Sequence, residues 1–136
     1  MEWIYQGEDI TEEQTLSYVG FTYLIENLIS NKKYVGKKLF RSLRKKKVKG
    51  KYKRVMVQSD WRKYFSSCKE LHDEVEAFGE GNFKREVLRL CKTKSELNYF
   101  ELKTQMDLDV ILRPEEYYNS FVGTRVNRQC LKDLFL

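Results

Sequence analysis

The chain is poor in several things that would each direct its chemistry. Proline occurs once in 136 residues, at Pro114, and histidine once, at His72. A single histidine leaves room for at most one histidine-based triad. The three cysteines, Cys68, Cys91 and Cys130, are an odd and scattered set, which argues against a disulfide framework or a zinc site and points to a reducing, intracellular (cytoplasmic) compartment. No apolar run approaches the ~18 residues of a membrane span, so no membrane role is expected. Residues 1–20 hold five acids and no Lys or Arg, which is not the pattern of a signal or transit peptide. Residues 32–54 hold no acid at all.

What is present is a core-forming composition with one strongly basic segment. At 41% hydrophobic and 14% aromatic residues, wholesale disorder is excluded. The length predicts a single domain over 1–136. Its expected parts are an acidic lead-in at 1–19, a core at 20–120 carrying a basic insertion at 37–58, and a tail at 121–136. The net charge of +6 conceals an uneven distribution: residues 32–54 carry thirteen of the twenty-six Lys and Arg, so the remaining chain is net acidic. Lys38, Arg41, Arg44, Lys45, Lys46, Lys47, Lys49, Lys51, Lys53 and Arg54, with Arg62 beyond them, are the candidate nucleic-acid contacts. Clustered cations are the electrostatic footprint of a phosphate backbone. A solvated loop or a targeting tract is the plainer reading of a charge run.

Periodicity predicts an α+β fold. Thr11 with the following Glu12, Glu13 and Gln14 suits the start of a short helix. Phe21–Ile29 reads as a strand, Ser30–Lys32 as a turn, and Lys33–Gly36 as the start of a second strand. The basic tract is expected to be a mobile insertion, with Val55–Val57 a short strand. Ser67 with Glu70 forms a capping-box pattern for a helix ending before Gly79. Phe83–Leu90 is a third strand. Thr93 with Glu96 starts a second long helix running to about Asp109.

That helix contains an anomaly. Leu97, Glu101, Thr104 and Leu108 fall on one helical face, which places a carboxylate on a core stripe. Three readings are open: the helical phase differs, Glu101 pairs with a buried lysine, or Glu101 is functional. A lone carboxylate suits magnesium, which keeps several waters and needs few protein ligands.

Phe21-Thr22-Tyr23, ten residues, then Tyr34-Val35-Gly36 resembles the paired signature of the GIY-YIG nucleases. Phe21 and Thr22 depart from the usual Gly and Ile. Tyr64-Phe65-Ser66-Ser67-Cys68-Lys69 resembles a Tyr-x-Gly-Ser-x-Lys block of one subgroup, with Ser66 in place of glycine. Glu101 and the pair Tyr118-Asn119 match further family positions.

The resemblance implies a three-stranded, mainly antiparallel sheet flanked by helices, cutting DNA with Mg²⁺ (or Mn²⁺). It implies Glu101 as metal ligand, Tyr23 as general base activated by nearby cations such as Lys37, and Tyr34 as proton relay or phosphate orienter. Lys69 is the expected phosphate-stabilising cation, with Arg62 and His72 as rivals, and Asn119 is site-orienting. The compact arrangement is similar to phage-encoded or mobile-element (homing-like) endonucleases. A homodimer is compatible with it, since cutting both strands needs two visits or two subunits. The alternatives are a non-catalytic nucleic-acid-binding module of the same fold, or a protein-interaction factor docking through its acidic start. Tyr23 and Tyr34 read without the resemblance are ordinary cross-strand aromatics.

Overall fold

The computed structural model describes residues 2–123 and Asp133; the rest of the expected tail, including Arg125, Arg128 and Cys130, lies outside the described residues. The chain forms strands β1 (Ile4–Tyr5) and β2 (Glu8–Asp9), helix α1 (Glu12–Ser17), strands β3 (Gly20–Asn27), β4 (Lys33–Leu39), β5 (Arg41–Val48) and β6 (Lys51–Gln58), helix α2 (Lys69–Phe78), strand β7 (Phe83–Cys91) and helix α3 (Lys94–Asp107). The class is α+β, as expected. The sheet has five strands rather than three, in the order β2-β1-β7-β3-β4. The two additional strands come from the acidic opening, and β1 runs parallel to β7. Each is two residues long, too short to leave a periodic signature. Trp3 anchors them: it is fully buried and its indole N–H donates to the Trp61 carbonyl at 2.7 Å.

The expected β3–β4 hairpin is present and antiparallel, with Tyr23 opposite Gly36 and Thr22 opposite Lys37. Alternation along β3 assigns its residues to two faces. Phe21, Tyr23 and Ile25 enter an aromatic core with Trp3, Phe40, Trp61, Phe65 and Leu71 of α2. The opposite face is covered by α3, whose Gln105 donates to the Val35 carbonyl. Gly20 lies where α3 crosses closely; a Cβ there would meet the Lys38 carbonyl oxygen at 2.5 Å and Leu97 at 3.0 Å.

The basic tract, expected as an insertion without regular structure apart from Val55–Val57, forms a two-stranded ribbon, β5 paired with β6 from Arg41↔Gln58 to Val48↔Lys51. Lysine-rich strands run against β propensity. The turn accounts for the pairing: Lys49 and Gly50 both take positive φ, +50° and +77°, the two-residue turn whose twist matches a hairpin. At the base, Ser59 N–H donates to the Phe40 carbonyl, and the Arg41 guanidinium donates to the carbonyls of Thr15 and Tyr18.

The expected capping boxes fare differently. Thr11 with Gln14 and Thr93 with Glu96 both form in full. The Ser67–Glu70 box does not: α2 begins at Lys69 after Cys68, with no side-chain cap. Its first turn is held by Ser66, whose Oγ accepts from Cys68 N–H and whose carbonyl contacts His72 Nε2. No helix of the described residues is long and apolar enough to cross a membrane.

Candidate active site

The candidate site is built around β4, the edge strand of the sheet. Tyr23 projects from β3 across its partner Gly36; a Cβ at position 36 would lie 2.5 Å from the Tyr23 hydroxyl. Glycine is therefore required there by the tyrosine opposite, which gives the Tyr-x-Gly spacing a steric cause. Tyr34 stacks on Tyr23 with ring centroids 6.1 Å apart and 27° between planes. Tyr64 meets Tyr23 edge-on, with ring centroids 6.0 Å apart. The Ser67 hydroxyl lies near enough to Tyr34 to influence its titration. Ser67 does not cap α2, where Cys68 takes the N-cap position, so the capping signature misleads.

From the other face of the sheet, α3 presents Glu101. Its carboxylate lies 3.8 Å from Lys37 Nζ and its side chain is 15% exposed. Lys37 also donates to Asn98 Oδ1, one helical turn before Glu101. Of the readings left open by the sequence, a different helical phase is excluded: Glu101 is largely buried on the sheet-facing side, and a lysine, itself partly exposed, lies near it. Burial raises its pKa, and Lys37 opposes this in part. Glu101 also contributes to raising Tyr23 and Tyr34, so its charge is felt at both hydroxyls.

The expectation that cations favour a Tyr23 phenolate is not met. Burial, first, and then the neighbouring Tyr64 and Tyr34 raise its pKa well above the ordinary tyrosine value. Lys37 sits opposite Thr22, on the other face, and is engaged with Glu101 and Asn98. Tyr34 is raised less, because it is less buried and the nearby Ser67 hydroxyl opposes the rise.

The other sequence candidates occupy varied positions. Lys69 is 88% exposed on α2 and paired with Asp73 at 2.9 Å, so it is not brought together with Glu101 and the tyrosines. Arg62 pairs with Glu12 at 2.5 Å and lies over the Trp61 ring. Lys38 pairs with Asp60 at 2.6 Å and lies over Tyr64 at 3.9 Å. Asn119 brackets β4: its Oδ1 accepts from Val35 N–H and its Nδ2 donates to the Val35 carbonyl. Together with the Lys33–Tyr117 bridge, it extends the sheet edge beside the site. Lys45, Lys46, Lys47, Lys49, Lys51, Lys53 and Arg54 are all exposed on the ribbon, whereas Arg41 is tied into its base.

Two contributors were missed. Tyr64 joins the tyrosine cluster, and Arg85 positions it, donating from the core face of β7 to the carbonyls of Arg62 and Tyr64. Arg85 lies at the alternate position between Phe83 and Val87 and is buried against Trp3 and Phe65. A charge on an apolar stripe was the available signal, as it was for Glu101.

Among the described residues, no group of three or more His, Cys, Asp or Glu could enclose a metal. Lys37 is the only ion-pair partner of Glu101 among those residues, and not a close one. A single hard, partly desolvated carboxylate fits a cation that retains most of its waters.

No curated protein and no solved structure matches the chain. A family model does, over residues 3–122, under the description "Putative endonuclease segE, GIY-YIG domain". That match spans the five-stranded sheet, the ribbon, all three helices and every residue of the site, and it places the chain in the GIY-YIG nuclease superfamily.

Proposed function

We propose that the chain is a divalent-metal-dependent DNA endonuclease that hydrolyses phosphodiester bonds by water attack. The observation that carries this reading is the stacking of Tyr34 and Tyr23 over Gly36 of the edge strand, with Glu101 on the opposite face beside Lys37, near enough for its charge to raise both tyrosines.

Glu101 is the metal ligand, and the fit favours Mg²⁺ or Mn²⁺. Such an ion would supply Lewis-acid stabilisation of the leaving oxygen and reverse the sign of the Glu101 contribution to both tyrosines. Tyr34, the less buried of the two, is the hydroxyl that exchanges a proton with attacking water. Tyr23, behind it and packed edge-on against Tyr64, holds its proton and fixes the orientation of Tyr34 by stacking. Lys37 opposes the desolvation of Glu101 and so favours its charged form. The ribbon grips the DNA backbone through Arg44 and the lysines beyond it, contacts that position without specifying sequence. Lys69 and Arg62, each already paired with a carboxylate, contribute at most to the general field. The deep burial of Tyr23 favours one other reading, a non-catalytic DNA-binding module of the same fold.

A plasmid-nicking assay separates the two. The intact protein is expected to nick supercoiled DNA with Mg²⁺ or Mn²⁺ and not with a chelator. Glu101→Gln is expected to bind DNA but lose cleavage at least a thousandfold. Equal cleavage by both proteins would sink the assignment, and binding without cleavage by either would favour the module.

A further inference from the structure

A cavity of about 400 Å³ opens beside the site, between the base of the ribbon and the first turns of α3. Lys37 and Lys38 line it from β4, Arg44 and Ser42 from β5, and Lys94 and Asn98 from α3. Four of its lining residues are cations and none is an acid.

The cations differ in what already neutralises them. Lys38 is held by Asp60 at 2.6 Å, and Lys37 is shared between Glu101 and Asn98. Arg44 and Lys94 have no hydrogen-bond or ion-pair partner among the described residues; Arg44 acts on Asp60 only through space, helping to lower its pKa. Lys94 is moreover the first residue of α3. A cation there opposes the positive end of the helix dipole, an end the Glu96 carboxylate of the capping box already meets in part. Ser42 Oγ is buried with no hydrogen-bond partner among the described residues. A walled space holding two unneutralised cations and an unused hydroxyl is arranged to receive an anion with several acceptor oxygens.

We propose that this cavity binds a backbone phosphodiester of the DNA strand, with Arg44 and Lys94 as its principal contacts. The proposal rests on the nuclease reading for the identity of the strand. Because Lys37 faces both the cavity and Glu101, a phosphate held there sits beside one presented to the site. The same strand then continues onto the ribbon.

The test compares two double variants that remove equal charge. One is Arg44→Gln with Lys94→Gln, in the cavity; the other is Lys49→Gln with Lys51→Gln, at the ribbon tip. Duplex affinity is read by fluorescence anisotropy without metal, so the outcome does not depend on cleavage. Melting temperature is read with and without millimolar inorganic phosphate at matched ionic strength. The cavity variant is expected to weaken duplex binding at least tenfold and to abolish a phosphate-induced rise in melting temperature. The tip variant should weaken binding no more than threefold and keep that rise. Equal weakening by both variants would overturn the proposal, as would a phosphate response that survives in the cavity variant. Loss of the phosphate response with unchanged duplex affinity would also overturn it, as an anion site off the DNA path. The expected pattern in a protein that cuts nothing would keep the cavity assignment and overturn the nuclease reading.

Discussion

Glu101 is a carboxylate in a place that disfavours its charge. Burial raises its pKa and Lys37 at 3.8 Å only partly offsets this. The folded state therefore holds the Glu101 proton more tightly than the unfolded state does, so stability falls as pH rises from the ordinary carboxylate range through the raised folded value, and is level above it. Glu101→Gln removes that penalty. In metal-free buffer at neutral pH the variant should melt roughly 3 °C higher, about 1 kcal/mol for a chain of this size. The advantage should vanish as pH falls below the ordinary carboxylate range. A variant melting lower than the parent at neutral pH would show that the Lys37 pair outweighs desolvation. Ser66 is a second locally costly residue: it takes φ +74° while buried, a conformation that costs a side chain about 1–2 kcal/mol. A glycine at this point of the resembling block is thereby explained. Serine compensates through its Oγ, which accepts from Cys68 N–H. Ser66→Ala keeps the strain and loses the acceptor, so it should destabilise by about 1 kcal/mol. Ser66→Gly exchanges one for the other and should be nearly neutral; chemical denaturation of both variants checks the pair.

Among the elements, the ribbon is the one whose form bears most on DNA. Its alternation gives one face Lys45, Lys47 and Arg54 and the other Lys46, Lys51 and Lys53, as the pairings Lys45↔Arg54 and Lys46↔Lys53 require. Like charges stand directly opposite each other on both faces, which destabilises an isolated hairpin. An arm basic on both faces suits a duplex groove between two phosphate walls, and a major groove admits a two-stranded ribbon. Replacing either set of three by Gln should then weaken duplex binding by similar factors, each flattening the salt dependence. An effect confined to one set would mean the ribbon lies flat along one backbone. The ribbon was not legible in sequence because lysine is a poor strand former and the positive-φ turn residue preceding Gly50 is itself a lysine. The β3–β4 hairpin was legible because Tyr23, Tyr34 and Gly36 sit in strands of ordinary composition. The α3 boundaries were legible because Thr93 and Glu96 cap it as their spacing requires. The α2 cap was misread because the helix begins one residue later than the spacing suggests, with Cys68 at the N-cap and Ser66 holding its N–H, an arrangement the capping pattern does not encode.

At the scale of the whole molecule, charge and fold are separable. The ribbon pairs with itself as its own two-stranded sheet, and its base is closed by the Phe40–Ser59 hydrogen bond and by Arg41 on the α1 segment. The aromatic core holds no residue between Phe40 and Trp61. Replacing residues 43–56 by Asn-Gly keeps Arg41, Ser42, Val57 and Ser59 and supplies a two-residue hairpin turn. It removes eight cations and no acid, taking the net charge from +6 to −2. The shortened protein should keep its melting temperature within a few degrees, since little apolar area leaves the core. It should lose nearly all duplex affinity at physiological salt, because the remaining surface repels a polyanion. At very low salt and high metal concentration, residual nicking should persist, since Tyr23, Tyr34, Lys37 and Glu101 are untouched. Loss of folding would show that the ribbon is part of the core's stability, and full retention of affinity would place the DNA contacts elsewhere on the chain.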